Sequence, residues 1–549
     1  MNKRYYIVIA SLIVLACTIL SAAYSNKGPL VPEISIQIYS SKAEVMQAFQ
    51  KEEIDLIPNI TGSDIEKVKV LPFAQVITTD SDTGFYLILN TRINPLNVVA
   101  FRQAIAHMVD RELIVQSVLQ GNAAPMYSIV PESHPMFHAG TPKWVFNVAK
   151  ATSILDLNGF ILNANGERTN PATKKPLETI TLVTSDSEGF KSIARIIIDA
   201  MASAGITVVH EPVNDNDLSK RLRDLSFEMI TAGYTADENI RYLWSLFHSA
   251  NDYSGGSNYS GIRDESLDKM LDYLFSTDSK VVKGGANATQ LILARLLPFI
   301  PIYSRQYVDV YNSRSVKGWV QMKNEGTTGA NNLWSLLNLQ LIDKSRSILR
   351  WPMVGNPISL NPLTANRLTD YEIISKIAPM NCLFVKDATS NENIGWVAKS
   401  WSVDQWTRTG SQKGTVITWK LRNDVKWSDG TPFTSADIKF TIEYLKNNEV
   451  QRYINQVNRI VKVETPDKYT AKVYFENVGD YLVAANLCGL PQHIWKDIND
   501  YNAFEPWNTP HSTIKGMNKL VGLGPYILDE YEPGEHIHLI RNKYYFALP

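Results

Sequence analysis

Few side chains in this 549-residue chain are spaced for chemistry. His134 and His138, in "SHPMFH", stand at i and i+4, the interval that sets two imidazoles on one helix face around a metal, but Pro135 between them breaks such a helix. His536 and His538 share one face of an alternating stretch and read as solvent-facing or paired across strands. "DSDTG" at 80–84 opens like a calcium loop and lacks the later ligands. There is no Gly-x-Ser-x-Gly elbow, no His-Glu-x-x-His pair, no phosphate-cradling Walker loop and no cysteine nucleophile with a histidine beside it. The expectation is a protein without catalytic residues, metal ligands or cofactor. Asp237, at the end of "GYTAD", precedes "ENIRYLWSLF", where Tyr242, Leu243 and Leu246 follow a helical rhythm, so one role for it is to cap a helix beginning near Glu238.

Bulk properties narrow the partners. Fifty-four basic against 55 acidic residues leave a net charge of −1, which offers no basic groove for nucleic acid. With 44% hydrophobic residues, 12 Trp and 25 Tyr, the chain can bury two or more cores and line a ligand pocket with aromatic rings. Lys3 and Arg4 precede "YYIVIASLIVLACTILSAAYS", an apolar run over 5–25 with small residues at its end. Three fates fit it: an export signal cleaved after Ser25, a single anchoring helix, or a lipid on Cys17 in "VLAC". The remainder is then expected outside the cytoplasm, in the periplasm or on the outer face of the membrane. Beyond that run only Cys382 and Cys488 remain, and two buried free thiols fit better than a pair, because sequence spacing does not bring their Cα atoms together.

The elements that must position any site alternate. "EISIQIY" reads as a strand, "KAEVMQAFQ" as a helix behind Ser41, "FYLILNT" (85–91) as a buried strand, and "NVVAFRQAIAHMVDRELIVQSVLQG" as two helices stopped by Gly121. Strand, helix, strand, strand follow in "ETITLVTS", "ARIIIDAMASAGITVVHEPV" and "FEMITAGYT", the grammar of an α/β fold. At 343–347 "DKSRS" interrupts two apolar strands and reads either as an ordinary loop or as a joint. Past it, "TVITWKLRNDVKWSDG" alternates and turns at "SDGTP" into a helix from Ser435.

These segments resemble a known family. "GWVAKSW" with "TWKLRNDVKWSDGTPFTSADI", "LVGLGPYILDEYEPGEHIHLIRNKYYF", "EEIDLI" and "FRQAIAHMVDRELIV" are similar to the motifs of the extracytoplasmic solute-binding proteins of peptide, oligopeptide and nickel ABC transporters, family 5. The resemblance covers nearly all of the chain after the apolar run. Its order differs: residues 346 to 549 look like the family's first part and 28 to 340 like its remainder, as in a circular permutation joined through "DKSRS"; a piece of a tandem array cut in phase is the other reading. "PEISIQIYSSKAEV" is the element that should follow "HLIRNKYYF", so Ile537 to Arg541 is expected in one sheet with Ile34 to Tyr39, and Pro549 near Pro29.

What the resemblance implies is an α/β, two-lobed periplasmic-binding-protein fold of type II kind with an extra small domain on the first lobe, in permuted order. Its parts would be 1–25 leader or anchor, 26–97 lobe I, 98–300 lobe II, 301–381 lobe I with the joint near 343–347, 382–505 the small domain and 506–549 lobe I again. It implies a monomeric receptor that closes on an extracellular peptide and hands it to a membrane ABC permease. In the family's peptide binders a Gly-Trp-x-Ala-Asp segment pairs with the peptide backbone; here Gly233 and Thr235 would supply main-chain hydrogen bonds, Tyr234 a wall, and Asp237 the partner of the peptide's α-ammonium. Tyr234 stands where the family has Trp. The alternatives are another solute, such as a metal chelate or a sugar, and an exported peptide-binding chaperone or sensor.

Overall fold

Ile34 and Ile36, two residues apart and both fully buried, mark the inward face of the first strand. In the computed structural model, which describes residues 24–549 except 63, 237–239, 277, 366, 381, 409–411, 478–485 and 488, the main strands follow in chain order. They are β1 (Glu33–Tyr39), β2 (Leu56–Ile57), β3 (Ala74–Leu89), β4 (Ala123–Pro125), β5 (Ile180–Ser185), β6 (Val208–Val213), β7 (Met229–Thr235), β8 (Phe299–Asn312), β9 (Ile348–Val354), β10 (Ala398–Thr407), β11 (Lys413–Leu421), β12 (Ile460–Asp467), β13 (Thr470–Phe475), β14 (Tyr526–Glu532) and β15 (His536–Arg541). The apolar leader, Cys17, Asp237 and Cys488 lie outside the described residues.

Three sheets organise them. In the first, the order is β9-β1-β15-β14. β1 runs parallel to β9, with Ile36 opposite Trp351, and antiparallel to β15, with Ile36 opposite Ile537. The expected adjacency of the two distant segments is therefore present, and the Gly28 amide donates to the Ala547 carbonyl at 2.8 Å. In the second, seven-stranded sheet the path is β2-β8-β3-β7-β5-β6, with β4 also on β8. The third, β10-β11-β13-β12, carries the helix α1 (Ser435–Asn447), which starts where expected because Thr434 and Asp437 form a reciprocal cap. Trp419 and Trp427 are buried in the core beneath it, and Trp401 packs on its edge.

β3 is longer than the apolar run that announced it. The sequence marks 85–91, whereas the strand starts at Ala74 and takes in the polar "TTDSD", because its partner β8 supplies hydrogen bonds along nearly the whole length. Cys382 is disulfide-bonded, which corrects the free-thiol expectation: the fold brings it to a partner that sequence spacing could not foresee.

Two arginines of the motif "FRQAIAHMVDR" are structural. Arg102 donates to the carbonyls of Leu96 and Leu296, and Arg111 to those of Met126, Pro301 and Trp144. Burial lowers the Arg111 pKa to about 10, and these carbonyls are what make a buried guanidinium tolerable.

Asp55 ties the first two sheets together. Fully buried, it accepts from the Arg350 guanidinium at 2.6 Å, from the Arg350 amide at 2.8 Å and from Arg346, within the 343–347 segment, at 2.8 Å. Burial alone would raise its carboxyl pKa; the two guanidinium groups outweigh that and hold it below the usual aspartate value. Asp55→Ala leaves two arginines facing a buried gap and should cost about 3 kcal/mol in urea unfolding. Because the folded pKa is depressed, the Asp55 contribution is present above the unfolded value near 4 and fades as pH falls through the lower folded one. The wild-type unfolding midpoint should therefore drop more steeply below pH 4 than that of D55A.

Candidate functional site

β3 and β8 pair from Ala74–Asn312 to Ile88–Phe299, with a break in register between Asp80 and Gly84. Asp82 sits in that break and is buried. Its carboxylate accepts from Ser133 Oγ at 2.7 Å and from Asn324 Nδ2 at 2.6 Å, and Lys323 Nζ stands 3.5 Å away while also donating to the Ser133 carbonyl. The segment "DSDTG", dismissed as a calcium loop, is thus a strand interruption whose lost ladder contacts are replaced by side chains from two other loops.

Beside this break lies a cavity of about 420 Å³. Asp82, His134, Ala236, Glu325, Trp396 and Tyr545 are among the residues that line it, together with Lys323 and Asn324. Trp396 is packed in the core of the small sheet and also reaches the cavity wall. Glu325 is half-buried, and its oxygens accept from Asn331 Nδ2 at 2.8 Å and from the Asn331 amide at 3.2 Å. Burial raises its carboxyl pKa, against the lowering effect of those two bonds.

Next to the cavity, β7 has an unfinished edge. β3 covers it on one side as far as Thr235, but β5 pairs only with Met229 and Ile230 on the other. The Ala236 amide donates to the Asp82 carbonyl, and the Asn90 amide to the Glu228 carbonyl. Even-numbered residues of β7 therefore turn their backbone groups toward β3, and by alternation Gly233 and Thr235 turn theirs to the open edge. Both are exposed. A Cβ on Gly233 would come within 2.8 Å of the Phe85 ring. Thr235 Oγ1 meets Thr83 Oγ1 at 2.8 Å. Tyr234 is half-buried with its ring 6.3 Å from that of Tyr242, and burial together with a hydrogen bond to Tyr259 raises its pKa.

Asp237 lies outside the described residues. The helix that follows it, α2 (Tyr242–Phe247), has Arg241 at its N-cap and no side-chain cap, so the expected helix starting near Glu238 is corrected to a later start. Ile240, buried and at φ 50°, stands before it; a β-branched residue in the left-handed region cannot continue a helix backward.

Other sequence candidates separate cleanly. His134 Nδ1 accepts from the Met136 amide, so its ring belongs to a local turn rather than to a pair with His138. His538 lies 3.1 Å from Glu33 and 3.0 Å from Asp529, and His536 lies 3.2 Å from Glu530, so both pair across strands. Asn258, in a glycosylation sequon, is fully buried.

One cluster escaped the sequence. Asp429, of the turn "WSDG", is approached by His493 Nε2 at 2.5 Å and by His511 Nε2 at 3.3 Å. It is a metal-like set, but His511 Nδ1 accepts from the amides of Thr513 and Ile514 at 3.2 and 3.1 Å. The neutral ring must then carry its proton on Nε2, pointing at Asp429, whereas a ligating histidine donates from its other nitrogen. The cluster is a hydrogen-bonded brace between two loops and the short helix Gln492–Trp495. Its members lie 64 and 18 residues apart, so no local spacing could have revealed it.

A profile of the bacterial extracellular solute-binding proteins, family 5, middle region, matches residues 3–254 and 392–548, well over half of the chain. Among curated proteins the chain is similar to the probable ABC transporter periplasmic-binding protein SapA of Escherichia coli, 24% identical over 302 residues, 53% of this chain and 52% of the relative. It is also similar to the nickel-binding periplasmic protein of the same organism, 26% identical over 193 residues, 35% of this chain and 34% of the relative. The chain spans about half the length of SapA, and less of the nickel-binding protein. Among solved structures, the oligopeptide-binding protein AppA of Bacillus subtilis in complex with a nonapeptide aligns at 19% identity and a TM-score of 0.45, over 55% of this chain and 59% of that one.

The Asp429 brace has a pH signature. Burial would raise its carboxyl pKa, but hydrogen bonds from His493 and the Thr431 amide prevail and hold it at about 2. Its stabilisation is present above the unfolded value near 4 and is lost as pH falls from there toward 2. Asp429→Asn should cost about 1–3 kcal/mol at pH 7 in thermal unfolding and nothing extra at pH 2, while wild type loses that margin between pH 4 and 2.

Proposed function

The chain belongs to the bacterial extracellular solute-binding proteins of family 5, and from that premise we propose that it is the substrate-binding receptor of an ABC importer. It captures an extracellular peptide between two lobes and delivers it to a membrane permease. It acts as a monomer and binds rather than transforms its solute. The observation that carries this reading is the open edge of β7 beside a cavity: Gly233 and Thr235 hold unpaired backbone donors and acceptors in strand geometry, which an extended peptide satisfies by adding a strand. A sugar or a compact metal chelate has no repeating amide to match such an edge.

In this reading Asp237 receives the peptide's α-ammonium. Lobe I is made of residues 26–97, 301–381 and 506–549, lobe II of 98–300, and the small domain of 382–505. The segment order is the family's, permuted; the pairing of β1 with both β9 and β15 supports it. The protein works outside the cytoplasm, in the periplasm or on the outer face of the membrane, its apolar N-terminal run cleaved, retained as an anchor or lipidated at Cys17.

The test is calorimetry with a pool of short peptides and their N-acetylated copies. Peptides should bind and acetylation should weaken them at least about tenfold, the loss expected for a charge-assisted hydrogen bond; equal affinities would remove Asp237 from the site. Thr235→Pro deletes one outward-facing amide without touching the β3 ladder. It should lower peptide affinity about tenfold with little change in melting temperature, and unchanged affinity would mean that the β7 edge is not the docking strand.

A chain re-cut within 343–347, with Pro549 joined to the segment before Pro32 by a short loop, tests the segment order. Circular dichroism should show the same fold, and failure to fold would count against a permuted order.

A further inference from the structure

We propose that the cavity receives a cationic side chain of the bound peptide, lysine or arginine, with Glu325 as its carboxylate partner; this rests on the peptide reading above. The loop at 322–326 presents Lys323, Asn324 and Glu325 in succession. Lys323 and Asn324 turn to Asp82, so that carboxylate is already compensated. Glu325, which also lines the cavity, has its carboxylate on Asn331 instead. Each of its oxygens takes one hydrogen bond from Asn331, leaving lone pairs free on both.

Among the described residues no lysine or arginine balances it: Lys323 is committed to Asp82 and Ser133, and Lys386, the other cation on the wall, has an interaction of its own. A carboxylate drawn out of water without a counter-charge is costly, and closure of the cavity around a ligand deepens that cost unless the ligand brings the charge. The surroundings suit a long basic side chain. Leu333, Leu336 and Trp396 offer an apolar wall for its methylene stem. Gly329 leaves the space in which the carboxylate sits, since a Cβ there would fall 2.3 Å from Glu325 Oε2. The reading above assigns the α-ammonium to Asp237, so this second anionic point reads the side chain and makes the receptor selective within the peptide class.

The experiment titrates the purified protein with alanine-based pentapeptides carrying one lysine, or one Nε-acetyl-lysine, at each position in turn. At one position lysine should bind at least about tenfold tighter than its acetylated form, as one charge-assisted hydrogen bond in a half-buried site requires. Glu325→Gln should bring that ratio to about one with an unchanged melting curve. Asn331→Ala loosens the carboxylate but keeps its charge and should retain a ratio above one; a merely structural role for Glu325 would make the two variants alike. Equal affinity of both peptides at every position in the wild type, or a ratio that survives E325Q, overturns the assignment while the peptide reading stands. If no pentapeptide binds at all, the peptide reading fails and this assignment with it.

Discussion

Two long strands that run side by side set the terms for everything else. β3 and β8, of 16 and 14 residues, are far longer than ordinary strands, and one end of their ribbon is packed under Val76, Val308 and Val310 while the other lies among Leu87, Ile88 and Ile300. Two separate cores therefore share one backbone. A ribbon of that length twists, and where its register breaks between Asp80 and Gly84 the freed backbone groups need other partners. Asn324 accepts from the Asp82 amide, and Ser133 and Asn324 donate to its carboxylate, so loops remote in sequence are drawn to the one interruption. The cavity exists because they meet there.

Buried charge does the rest of the joining. Asp55 between Arg346 and Arg350, and Arg102 and Arg111 among backbone carbonyls, each hold together pieces that apolar contact alone would leave free to slide. A charge in the interior tolerates few geometries, because every displacement exposes an unpaired group. That is why the most recognisable polar residues of this chain, the aspartate of "EEIDLI" and the arginines of "FRQAIAHMVDR", are framework. In the proposed reading, ligand recognition is left to less distinctive residues, at an unfinished strand edge and in a loop with no motif.

Asp429 shows how residue type misleads without geometry. Two imidazoles and a carboxylate within coordinating distance invite a metal, yet the amides that point at His511 Nδ1 fix the proton on the nitrogen that a metal would need. The same three groups become a clamp for the turn "WSDG", whose tryptophan fills the core beneath it. Hydrogen-bond direction decided between two readings of identical composition.

Much was legible in the residues alone. Alternating apolar positions announced β1 and the strands of the small sheet, the turn at "SDGTP" announced α1, and the motif order pointed to β1 and β15 as neighbours. Those are short-range patterns, or long-range ones carried by whole segments, and hydrophobic periodicity encodes them directly. The polar half of β3, the disulfide at Cys382, the Asp429 brace and the cluster of Ser133, Asn324 and Glu325 around the cavity were not legible. Each depends on which distant loops the β3–β8 ribbon gathers, and on where a ladder of hydrogen bonds stops. By itself, then, the sequence determined the fold class, the family and the course of β7; only the tertiary structure decided which edge of that strand stays open and which carboxylates line the cavity, because burial and pairing are properties of contacts between residues hundreds of positions apart.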